Sequence, residues 1–108
     1  MMPFFEMFLK LVIGHAFADF VFQNDFMGRN KNRHLSKTAG SPGWVYVLSG
    51  HALIHGSMVW LFTGSIWLCL AETAAHWIID FGKCEGWYEA NHDQAMHIAC
   101  KALWTVVA

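Results

Sequence analysis

Apolar residues gather into four blocks along the chain, from about Phe4 to Phe22, Trp44 to Phe62, Ile66 to Phe81 and Gln94 to Val107, with breakers between them. The blocks predict helices over about 4–23, 44–63, 66–82 and 93–107. A membrane-spanning helix takes about 20 residues, with a range of about 17–25. The first two blocks reach that length, and the last two would need a tilted or thinned bilayer. Ionisable residues interrupt the apolar pattern at a constant interval. The sets are His15, Asp19 and Gln23; His51 and His55; Glu72, His76 and Asp80; Asp93 and His97, with Lys101 beyond. Spacing by four stacks each set on one helical face. A charged group at membrane depth costs a few kcal/mol, so four such stripes imply a shared purpose.

Composition turns this pattern toward the bilayer. Hydrophobic residues make up 56% of the 108 and charged residues 14%, against about 45–50% and about 25% in an ordinary soluble domain. The expected architecture is therefore all-α, a polytopic membrane bundle of about four helices. It is expected to form a single membrane domain over 1–108.

The connecting segment 28–43 carries Arg29, Lys31, Arg33, His34 and Lys37, with no acid from Asn30 through Gly43. By the positive-inside rule this loop is cytoplasmic, and its cations read as solvated charges that set orientation and meet lipid phosphates. The turn Thr63-Gly64-Ser65 then lies on the opposite side. The loop from Gly82 to His92 returns to the cytoplasm, and both chain ends lie outside. Trp44, Trp87 and Tyr88 fall at the inner boundary and Trp60, Trp67 and Trp104 near the outer one, where amphipathic rings are favoured.

At about 1.5 Å rise per residue, the polar sets of all four helices fall in the cytoplasmic half. Histidine nitrogen and carboxylate oxygen are zinc ligands, and ligating histidines usually donate their second N–H to a carboxylate. The inventory suits one or two divalent transition-metal ions, zinc first, with manganese and iron also matched to such ligands. The expected ligands are His15, Asp19, His51, His55, His76, Asp80, Asp93 and His97, with Gln23 and Glu72 as weaker candidates. Glu72, one turn above His76, and Asp19 are the candidates for acid–base work. Two other classes accommodate the same residues, a proton relay and interhelical hydrogen bonds holding a bundle together. His34 and His92 read as loop histidines outside the cluster.

A net charge of −1 with histidines neutral argues against nucleic acid as a partner. Cys69, Cys84 and Cys100 are odd in number and lack C-x-x-C spacing, so neither a disulfide framework nor a cysteine zinc knuckle is expected.

The run Gly14-His15-Ala16-Phe17-Ala18-Asp19-Phe20-Val21-Phe22-Gln23, followed by His51-x-x-x-His55, His76-x-x-Ile79-Asp80 and Asp93-Gln94-x-x-His97, resembles a domain-of-unknown-function family of small bacterial and phage membrane proteins. The resemblance covers about Leu9 to His97 and implies a membrane architecture. A looser similarity links the chain to membrane-bound metal-dependent hydrolases, which also place histidine and aspartate on apolar helices. That similarity implies metal-assisted hydrolysis of a lipid-linked or membrane-proximal ester. The expected partners are then the lipid bilayer and a lipid-linked substrate, and self-association is compatible with either reading. The rival expectation is a non-enzymatic protein that conducts protons or ions, or binds a membrane-protein partner.

Overall fold

The computed structural model describes residues 2–36 and 43–108. Among these, all regular structure is helical. Helix α1 spans Met2–Ala16, α2 Asp25–Asn30, α3 Trp44–Thr63, α4 Ile66–Cys84 and α5 Ala90–Val107. The four long helices form a closed ring in the order α1, α3, α4, α5, with α1 diagonal to α4 and α3 diagonal to α5.

Local chemistry sets the helix ends. Gly64, in the left-handed region at φ 72°, ends α3 through its N–H on the Trp60 carbonyl, a backbone state that glycine adopts without steric cost. One residue later, the Ser65 hydroxyl caps α4 by accepting from Leu68 N–H. The Asn24 side chain caps α2 in the same way through Met27 N–H. At the close approach of α3 and α4, Gly56 faces Thr73 and the Cys69 carbonyl, and a Cβ there would sit 2.7 Å from that carbonyl. Small residues at such crossings let helix backbones approach closely.

Two segments differ from the sequence expectation. The block expected as one helix over 4–23 leaves α-helical geometry at Phe17 and makes a π-helical turn over Phe17–Val21, sealed by Phe22 N–H on the Phe17 carbonyl at 3.0 Å. Such turns tend to mark functional positions, and this one carries Asp19. The segment 28–43 is not loop throughout, because α2 occupies its start. Lys37, part of the expected basic loop, lies outside the described residues.

The molecule is polar inside and apolar outside. Among the described residues, twelve polar or charged side chains are buried against eight apolar ones, and twenty-three large apolar side chains are exposed. The small apolar core, Leu11, Val59 and Leu68 with Met7, Phe62 and Trp104 against it, closes one end of the ring. By length and composition α3 alone among the described helices is apolar enough to cross a membrane. Helix α1 has 15 residues, and α4 carries Glu72, Asp80 and Lys83.

Candidate metal centre

The four-residue stripes all face the axis of the ring. His15, His51, His55, His76 and His97 are buried, as are Glu72, Asp80 and Asp93, while Asp19 keeps 12% of its side chain exposed. The imidazoles form one cluster. His76 lies between His55 and His97 with ring centroids 3.6 and 4.0 Å away and near-parallel planes. His51 stands edge-on to His55 at 4.7 Å, and His15 lies 4.9 Å from His55.

Carboxylates orient these rings. His55 Nε2–H donates to Asp19 Oδ1 at 2.9 Å, and His76 Nδ1–H donates to Glu72 Oε2 at 3.2 Å. The second contact leaves His76 Nε2 with no hydrogen bond in the interior, the tautomer in which a metal-binding histidine is held. The ring nitrogens of His51 and His97 and the Nδ1 atoms of His15 and His55 are likewise buried without hydrogen bonds. Buried polar atoms without partners cost about 1–3 kcal/mol each, and a bound cation removes that cost. Three sets bring their ligand atoms within 4.8 Å of one another: Asp19, His51, His55 and His76; Glu72, His76 and His97; Asp80, Asp93 and His97. The donor set fits a divalent transition metal.

His15, expected as a ligand, is absent from those sets. Its Nε2–H donates to the Gln94 amide oxygen at 2.9 Å, and Gln94 Nε2–H donates to Asp19 Oδ2 at 3.1 Å. His15 and Gln94 together therefore steady Asp19. Glu72, expected as a weaker ligand and as an acid–base candidate, is buried and belongs to one of the three sets. Gln23 stays at the rim and accepts from Lys31 Nζ at 2.6 Å.

Two buried lysines complete the network, Lys101 from the four-residue series of α5 and Lys31 from the basic connecting segment. Lys31, expected among solvated loop charges, is buried with Nζ 2.7 Å from Asp80 Oδ2. Helix α2 packs on α3 and so carries the residue after it to the Asp80 carboxylate, whose burial favours a cationic partner. Lys101, 1% exposed, holds Glu72 Oε2 at 2.9 Å, while the Trp104 indole N–H donates to Glu72 Oε1 at 2.8 Å. Trp104, expected as an outer-boundary ring, thus turns its polar edge inward. Lys101 was foreshadowed by the interval of four after His97, whereas nothing distinguished Lys31 from its basic neighbours.

A cleft of about 240 Å³ reaches the cluster from the end bearing α2, lined by Asp19, Gln23, Lys31, Asp80 and Asp93 among others. Beside it, Arg33 donates to both oxygens of Glu85 at 2.7 and 2.6 Å, and His34 Nε2 lies 3.0 Å from the same carboxylate. His34 is therefore paired rather than free, while His92 lines an open hollow with Trp87 and Tyr88. The Arg33 guanidinium holds the Glu85 carboxyl below its ordinary range. A depressed carboxyl stabilises above its unfolded pKa of about 4.3, and that contribution disappears as pH falls through the lower folded value. Amide protection factors across 31–36, corrected for the intrinsic exchange rate at each pH, are expected to fall on acidification below about pH 4. Glu85→Gln should lower them already at neutral pH; equal protection in the variant and wild type would show that the Arg33–Glu85 pair does not hold this segment.

Cys69, Cys84 and Cys100 are all free thiols. Set beside known proteins, the chain matches no curated protein and no solved structure. A family model does match it, over residues 7–107. That span takes in every residue of the buried cluster, and the chain belongs to the family described as protein of unknown function (DUF3307).

Proposed function

We propose that this protein is a polytopic inner-membrane bundle that binds a divalent transition metal, zinc first, and uses it to hydrolyse an ester presented at the membrane surface. The observation that carries the reading is the buried cluster: five imidazoles from four helices, with several ring nitrogens making no hydrogen bond. Charge supports it independently. Counting imidazoles as neutral, Asp19, Glu72, Asp80 and Asp93 outnumber Lys31 and Lys101 by two negative charges. Uncompensated buried charge is expensive, and one divalent cation cancels this excess. The apolar exterior supports placement in lipid, because exposed apolar area on this scale is foreign to soluble monomers.

A divalent metal held here would polarise a substrate oxygen and lower the pKa of a bound water. The chain's own residues would do the rest. Asp19 faces both the cluster and the cleft, so it would help hold the ion and orient an incoming nucleophile. Glu72 holds the His76 tautomer, and Lys31 offers an ammonium to an anionic group entering the cleft. Leu11, Val59 and Leu68 pack together one helical turn beyond His15, His55 and Glu72, an apolar layer that favours a one-sided site over a through-going proton path.

Metal analysis of detergent-purified protein tests the reading, with at least one tightly held transition-metal ion per chain expected. Protein that stays metal-free after titration with zinc, manganese and iron would overturn it.

A further inference from the structure

Of the three overlapping ligand sets, two share no residue, while the third, Glu72 with His76 and His97, takes one histidine from each. Asp19, His51, His55 and His76 form the first of the two, and Asp80, Asp93 and His97 form the second. Asp80 lies at the seam, its Oδ2 3.5 Å from His51 Nε2 and 3.9 Å from His76 Nε2. We infer that Asp80, Asp93 and His97 bind a second divalent transition cation beside the first, an assignment that rests on the metal reading above.

Three arguments carry it. Asp93 and His97 are more than nine-tenths buried; neither His97 ring nitrogen nor Asp93 Oδ1 makes a hydrogen bond, with His97 Nε2 and Asp93 Oδ1 3.3 Å apart and His97 Nδ1 without a partner. They are donors aimed into the interior, not a solvated acidic patch. One histidine and two carboxylates also make an open three-ligand set of the kind metals use when a position is left for substrate. Finally, Asp19 from the first set and Asp80 and Asp93 from the second all line the same cleft. One entering group would therefore meet both ions, the arrangement of two-metal hydrolytic sites. Lys31 Nζ already sits 2.7 Å from Asp80 Oδ2, a flexible ammonium at the rim that competes for this carboxylate. Because one ion already neutralises the buried excess of acid, the second binds with Lys31 swung out and a hydroxide or an anionic substrate group taken up, and it is the weaker of the two.

The test equilibrates full-length, detergent-purified protein with manganese alone, removes free ion, and counts bound ion alongside the electron paramagnetic resonance spectrum. Wild type should hold two ions per chain with an exchange-coupled spectrum. Asp93→Asn should hold one with an uncoupled spectrum, and His55→Gln should also drop to one. A single ion in both wild type and Asp93→Asn overturns the second site and leaves the first standing. No manganese in any sample overturns the second site, and the metal reading falls with it if zinc and iron titrations also leave the protein metal-free; two ions persisting in Asp93→Asn overturn the ligand assignment. If Asp93→Asn loses helical circular dichroism, His97→Gln carries the same readout. The wild-type spectrum, coupled or uncoupled, decides without any variant.

Discussion

Lys101→Met is expected to destabilise the fold by about 3–5 kcal/mol, the scale for removing one partner of a buried ion pair. Lys101 and Glu72 are each 1% exposed, with Nζ and Oε2 2.9 Å apart, so the variant strands a carboxylate in the interior. Methionine matches the stem of lysine in length, which keeps packing loss small. The charge argument makes a second demand. Adding Glu72→Gln to Lys101→Met should recover most of the loss, because a neutral amide still accepts from Trp104 at its oxygen and no unpaired charge remains. Denaturant unfolding in a fixed detergent measures both variants. A loss under about 1 kcal/mol for Lys101→Met would mean that the pair behaves like an exposed one.

His76→Ala carries the second large effect. Metal affinity should fall by more than about 100-fold, since loss of a mere supporting partner already costs about 10–100-fold. His76 is a member of two of the three candidate ligand sets and lies between two other imidazoles. Glu72→Gln should fall within the smaller range, because it only loosens the orientation of His76 and leaves the ring in place. Competition against a chelator of known affinity reads both. An affinity for His76→Ala within tenfold of wild type would remove this histidine from the centre.

The residues that converge were legible because helical geometry converts a sequence interval of four into a shared face. His51 with His55, and Glu72, His76 and Asp80, needed no tertiary information to be grouped within their own helices. Lys101 belonged to the same series and was readable in principle. Lys31 was not, because a lone cation beside a short helix looks the same whether it points to solvent or into a ring. The roles of His15 and Gln94 were hidden for a related reason. Whether an imidazole ligates or braces depends on which group from another helix meets its nitrogen, and the Gln94 amide comes from α5, far along the chain from His15.

The pattern of apolar blocks and four-residue polar stripes, taken alone, determined that the chain is helical and that each long helix has one polar face. Those are local consequences of backbone geometry and of the cost of isolated charge in an apolar segment. Tertiary structure alone decided that α1 lies diagonal to α4, that Glu72 pairs with Lys101, and that the carboxylates and imidazoles divide at Asp80. Such choices follow from helix order around the ring, where contacts between residues distant in sequence compete for the same buried charges.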